Sequence, residues 1–149
     1  MQVEVNYLGA TQFEIRARNH VIISDQPTNN GGFDEGMTPP ELLLASLGSC
    51  AAYYAVEYLK ANRLPSEGLQ VSVTAQKASS PARLASFEIA IEVPNLESRH
   101  QEGILRSARK CLIHKTLEEG AEIHTTLSAT GNRFQAAPGR PLPSQQGLT

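Results

Sequence analysis

Apolar and polar residues alternate along the first part of the chain. Val3, Val5 and Tyr7 are separated by Glu4 and Asn6, and Gly9-Ala10 interrupts the pattern. Phe13, Ile15 and Ala17 then alternate with Glu14, Arg16 and Arg18. A period of two is that of a strand with one buried face, so the pair predicts a β-hairpin. Val21-Ile22-Ile23 predicts a third, short strand. From Asp25 to Met37 the chain is dense in Pro, Asn, Asp and Gly, the composition of a loop.

The pattern changes at Thr38. This residue is a good helix N-cap, Pro39 suits the first helical position, and Glu41 stands where a capping box places an acid. Nothing stops the helix before Asn62 and Pro65, which predicts about 24 residues, or roughly 36 Å. Leu42 to Val56 carries no charge and is apolar or small on every side. Such a helix is buried all round. A membrane span needs about 20 predominantly apolar residues. Glu57 and Lys60 close this run early and Ser46, Gly48 and Ser49 interrupt it, so a soluble core helix is the reading and no membrane is expected. Ala45, Gly48, Ser49, Ala51 and Ala52 would let a neighbouring backbone come close. Cys50 lies among them, with Leu43, Leu47 and Tyr54 on its face.

Beyond the helix, Leu69, Val71, Val73 and Ala75 alternate with polar residues, as do Phe87, Ile89, Ile91 and Val93. With a turn at Ala78-Ser79-Ser80-Pro81 they predict a second hairpin. Ser98 and Gln101 form another capping-box pattern, and Ile104, Ala108, Cys111 and Leu112 make an apolar stripe on the helix that follows. Cys111 falls at or near the end of that helix. Gly120 stops the region, and Ile123, Thr125 and Leu127 predict a final strand. The order is βββ-α-ββ-α-β, an α+β domain over residues 1–128. Residues 129–149 are poor in apolar side chains and read as a poorly ordered tail.

Composition narrows the functional classes. The chain has 149 residues and a formal charge of −2, with a pI near 6.1. That balance offers no electrostatic footprint for nucleic acid or an anionic membrane. Met1-Gln2-Val3-Glu4-Val5 has neither a basic segment nor an apolar run, so a cytoplasmic location is expected. Two cysteines, Cys50 and Cys111, make either a redox pair or two buried thiols, not a disulfide framework. The glycines at 31, 32 and 36 belong to no phosphate-binding motif, and Asp34 and Glu35 would repel an anion. Cys111 and His114 form a Cys-x-x-His pair, but two ligands do not make a metal site, and nothing in the sequence brings Cys50, His100 or His124 to them. Glu57 is either a polar relay below Cys50 or a solvent-facing partner of Lys60. Tyr53, Tyr54 and Tyr58 either line a pocket or pack the core.

Three features together resemble the OsmC/Ohr family, the osmotically inducible and organic hydroperoxide resistance proteins. One is Gly31-Gly32-Phe33-Asp34-Glu35-Gly36 leading into Thr38-Pro39-Pro40-Glu41-Leu42-Leu43-Leu44-Ala45-Ser46-Leu47-Gly48-Ser49-Cys50. The second is Cys111-Leu112-Ile113-His114-Lys115-Thr116-Leu117, and the third is the element order. The resemblance implies an intertwined homodimer whose sheets wrap around two long central helices, with active sites at the interface. It also implies a peroxidatic Cys50, which attacks a hydroperoxide and becomes a sulfenic acid. Cys111 would be the resolving residue, and a dithiol reductant would reopen the disulfide, with no metal or organic cofactor.

The chain departs from the family's peroxidases at three places. Glu41 stands nine residues before Cys50 instead of ten, Leu112 replaces a usual proline, and the activating arginine has no clear counterpart. Arg16 and Arg18 are the nearest candidates. Cys50 lies in about the fourth helical turn, beyond the reach of the N-terminal dipole, so a lowered thiol pKa needs help from elsewhere. The sequence therefore supports a thiol-dependent hydroperoxide reductase. The alternative is a binding or thiol-sensing protein of the same fold without efficient peroxidase activity.

Overall fold

The structure, a computed structural model, describes residues 1–128. The tail expected over 129–149 lies outside the described residues. The elements are β1 (Glu4–Gly9), β2 (Gln12–Ala17), β3 (His20–Ser24), a 3-10 turn (Thr28–Asn30), α1 (Pro39–Ala61), β4 (Gln70–Ser79), β5 (Ala82–Glu92), α2 (Ser98–Ala108) and α3 (Leu112–Glu119). The fold is α+β, with two antiparallel sheets in the orders β1-β2-β3 and β4-β5. The chain forms two compact units, Met1–Pro39 with residues from Thr126, and Pro40–Thr125.

In the N-terminal unit the expected hairpin and third strand are present. Val5 opposes Ile15, Tyr7 opposes Phe13, and Ile15 opposes Ile22. Opposed residues share a face, so these five side chains form one apolar surface across three strands. Its far side is uncovered, since Val5 is 58%, Tyr7 67% and Ile22 48% exposed. The alternation was legible in the sequence; among the described residues nothing covers this face.

What this unit does bury is polar. Ser24 Oγ donates to Met37 O at 2.9 Å. Asp25, 1% exposed, accepts from Thr11 Oγ1 at 2.8 Å, Gln12 Nε2 at 3.3 Å and the amides of Gln26, Phe33 and Glu35 at 2.7, 3.0 and 3.2 Å. Burial pushes this carboxyl's pKa up, but the hydrogen bonds from Thr11, Gln26, Glu35 and Phe33 together outweigh it and hold the group well below the usual carboxylate range. The loop folds tightly around the hub. A Cβ on Gly32 would lie 1.8 Å from Gln26 O, so no larger residue fits there without moving backbone.

The second unit has an apolar core. The helix predicted from Thr38 onward runs unbroken over Pro39–Ala61 and buries Leu47, Gly48, Ala51, Ala55 and Leu59. These positions recur every three to four residues and make a single stripe. The all-round burial expected from composition does not hold within one chain, because Ala45, Ser49 and Tyr53 are exposed. One hairpin and two short helices cover one side only. By length and composition α1 could cross a membrane, but its stripe is the core of a packed unit. Leu47 and Leu59, fully buried, contribute about 1.5–3 kcal/mol each. Ala55, Leu59 and Ile104 form the cluster, closed by Tyr58, Leu64, Leu69, Ile91, Val93 and Leu96. Gly48 lets the hairpin close on α1, as a Cβ there would stand 3.0 Å from Val73 Cγ2.

Three expectations need correction. Residues 121–128 form no strand, and Ile123 and Leu127 are exposed; their alternation meets no free strand edge within the described chain. Ser98 is the first residue of α2 and not its cap: Glu97 holds that position without a side-chain cap bond, having already turned to accept from His100 N at 3.0 Å. Arg18 lies after β2, in the turn to β3, with φ +56°.

Candidate active site

The helices bring the two cysteines together. Ile104 and Ala108 seat α2 in the core, and Ser107 Oγ donates to Tyr54 O at 3.0 Å, which fixes the end of α2 one turn beyond Cys50. The chain then turns through Arg109 and Lys110, with Cys111 N bonded to Ala108 O at 3.1 Å. Cys50 and Cys111, 61 residues apart in sequence, are paired as a disulfide with Cα atoms 5.6 Å apart. That separation lies inside the usual range of about 4.4–6.8 Å. Two cysteines that the sequence assigns to the apolar stripes of two helices are therefore neighbours.

Cys111 does not end α2. It is the N-cap of a further helix, α3, and its Sγ accepts from His114 N at 3.3 Å. Cys111 is 0% exposed, whereas Cys50 is half-buried. A cavity of about 180 Å³ is lined by Leu47, Phe87, Ile89, His114, Leu117 and Glu118. Leu47 is one turn from Cys50 on α1 and His114 stands three residues beyond Cys111; neither cysteine lines the cavity. His114 Nε2 lies 3.9 Å from Glu118 Oε2, and the Lys115 hydrogen bond and charge hold that carboxyl below its usual pKa.

The other candidates are placed as follows. Arg16 donates from Nε and Nη2 to the Glu14 carboxylate, and it belongs to the N-terminal unit with Arg18, which is exposed. Glu41 stands in the first turn of α1. Because α1 is continuous through Gly48, nine residues separate Glu41 from Cys50 by about 13.5 Å along the axis and half a revolution around it. Glu57 pairs with Lys60 at 3.3 Å on the surface. Tyr58 Oη and His100 Nδ1 are hydrogen-bonded at 3.1 Å, which gives both a packing role. Among the described residues no three His, Cys, Asp or Glu side chains converge to hold a metal.

A family model for OsmC-like proteins matches residues 32–126. The chain belongs to this family. Among solved OsmC-fold structures, a Psychrobacter arcticus 273-4 protein named for osmotic stress induction and detoxification response is 27% identical. The alignment covers 78% of this chain and 87% of that one, with a TM-score of 0.71. An OsmC-like protein from Mycoplasma pneumoniae is 22% identical over 78% and 86%, TM-score 0.66. An organic hydroperoxide resistance protein OsmC from Legionella pneumophila is 12% identical over 78% and 87%, TM-score 0.56. At the last two identities the likeness is one of fold. No curated protein matches the chain in sequence.

Two features escaped the sequence reading. Asp25 reads in the sequence as one polar residue of a loop; the signal for the hub is an aspartate directly after an apolar strand, at the start of a turn-rich segment. The N-cap role of Cys111 was masked by the run of apolar positions on both sides of it.

Proposed function

We propose that this OsmC-family protein is a thiol-dependent organic hydroperoxide reductase, working as an intertwined cytoplasmic homodimer. The observation that supports this most is the Cys50–Cys111 pairing in a chain of this family. In the reaction the Cys50 thiolate attacks the outer oxygen of ROOH and the O–O bond breaks. The alkoxide leaves with a proton as ROH, and Cys50 becomes a sulfenic acid. Cys111 sulfur then displaces the hydroxyl as water, closing the disulfide. A dithiol supplies the two electrons and two protons that restore both thiols. Arg16 and Arg18 are the candidate cations for activating Cys50, and Glu41, in the first turn of α1, completes the candidate set. The apolar residues Leu47, Phe87, Ile89 and Leu117 of the cavity suit an alkyl substituent better than hydrogen peroxide. The open face of Val5, Tyr7, Phe13, Ile15 and Ile22, with the uncovered small residues of α1, supports a second copy as the missing cover.

Reduced protein is expected to consume cumene hydroperoxide faster than hydrogen peroxide. Cys50→Ser abolishes turnover, and Cys111→Ser leaves a sulfenic acid that a dimedone probe traps. Variants that both turn over like the parent would remove this reading. One observation favours the thiol-sensing alternative: Arg16 is already paired with Glu14. A Cys50 pKa at or above the free-thiol value of about 8.5 would select it.

A further inference from the structure

We infer that reductant opens the disulfide at the Cys50 sulfur, and that Cys111 departs as the thiolate. The place of this step in a catalytic cycle rests on the reductase reading above; its chemistry needs only the disulfide. In thiol–disulfide exchange a thiolate attacks one sulfur and expels the other, so access and leaving-group stability choose the direction. Access differs between the two ends. Cys111 is 0% exposed, shut in beneath the end of α2 and the start of α3, while Cys50 is half-buried.

Leaving-group stability points the same way, on separate grounds. Cys111 Sγ already receives the His114 amide proton at 3.3 Å as the cap of α3. Negative charge on this sulfur would strengthen that bond and meet the positive end of the helix dipole. Cys50 sits in the fourth turn of an unbroken helix, where its own helix end gives no such help.

The steps balance. One thiolate of the dithiol bonds to Cys50 sulfur as the Cys50–Cys111 bond breaks, and that bond's electron pair stays on Cys111. The second thiol, deprotonated, attacks the reductant's own sulfur in the mixed disulfide and releases Cys50 as a thiolate. The dithiol becomes a disulfide, and its two protons pass to the protein thiols or solvent. A monothiol needs a second molecule for the second step, in competition with the neighbouring Cys111 thiolate, which reverses the first.

The test uses the oxidised full chain and glutathione, quenched in acid at early times, alkylated with N-ethylmaleimide and mapped by peptide mass spectrometry. Glutathione is expected on Cys50 and maleimide on Cys111, in roughly tenfold excess over the reverse. Glutathione mainly on Cys111, an even split, or no adduct at either sulfur would each overturn the inference. Hydroperoxide consumption measured in parallel, with dithiothreitol in place of glutathione, separates the two ideas. A Cys50 adduct without peroxide turnover removes the reductase reading and keeps this one; turnover with a Cys111 adduct does the opposite.

Discussion

The two units of this chain bury different things. The Pro40–Thr125 unit buries Leu47, Ala51, Ala55, Leu59, Ile104, Ala108 and Cys111. The N-terminal unit buries no large apolar side chain among its described residues; its buried residues are Ser24 and Asp25. One is held by an apolar core with a disulfide joining its helices. The other is held by strand pairing and a carboxylate that gathers five donors. Apolar patterning predicts which face of an element will be covered, but not by what. In the second unit the hairpin and α2 do it. In the first, the patterned face stands open and a hydrogen-bonded loop gives local order instead.

The disulfide offers the largest test of this contrast. Closing a loop with a sequence separation of 61 restricts the unfolded chain by an amount worth roughly 4 kcal/mol in the chain-entropy account. Denaturant unfolding of oxidised and reduced protein is expected to differ by up to about that much. The loss should appear in amide exchange across α1 and α2, with the amides of Gln26, Phe33 and Glu35 at the Asp25 hub spared. Equal loss in both places would show that the division into two kinds of order is wrong. Of similar size is Leu59→Ala, which removes a fully buried side chain from the Ala55–Ile104 cluster and should cost about 2–5 kcal/mol by the same measurement.

The hub makes a prediction with a sign. Asp25 is held well below the usual carboxylate range, so its charged form is favoured by folding. Its contribution is complete above the unfolded value of about 3.9 and fades as pH falls below it toward the folded pKa. Protection of the Phe33 and Glu35 amides should therefore be flat above about pH 4 and weaken on acidification below it. Asp25→Asn cannot offer two acceptor oxygens, and it should lose protection at every pH and flatten the profile. A profile unchanged from the parent would mean that the hub is not what orders the loop.

How much of this was legible in the sequence follows from which interactions are local. The start of α1 was readable because Thr38, Pro39 and Glu41 act within one turn, and its end because Asn62 and Pro65 follow it. The hairpins were readable because alternation has a period of two. The final strand was misread for the complementary reason: Ile123, Thr125 and Leu127 alternate, but a strand also needs a free edge, which is not a local property. The placing of Cys50 and Cys111 among apolar stripes followed from helical spacing. Their unlike environments did not, because the capping of α3 by Cys111 depends on where α2 stops. The Asp25 hub joins Thr11 in the β1–β2 turn and Gln12 at the start of β2 to amides up to ten residues beyond Asp25, and no periodicity signals such a convergence.

The smallest effect on the chain itself should come from the open sheet face, where the contrast can be sharpened most. Val5 and Ile22 are about half exposed or more, so a charge at either removes little buried area within one chain. Val5→Glu is expected to change the unfolding free energy of the isolated chain by no more than about 0.5 kcal/mol, the range of ordinary surface positions. The same charge would be costly if a second copy covers Val5, Ile15 and Ile22, because an unpaired carboxylate would then be buried at an apolar contact. Sedimentation of Val5→Glu and Ile22→Lys beside the parent separates the cases. A dimeric parent with monomeric variants of unchanged strand content places the cover in a partner subunit. Should the parent sediment as a monomer, or both variants remain dimeric, the open face would be a solvated surface, and the N-terminal unit would owe its order to its strands and to Asp25 alone.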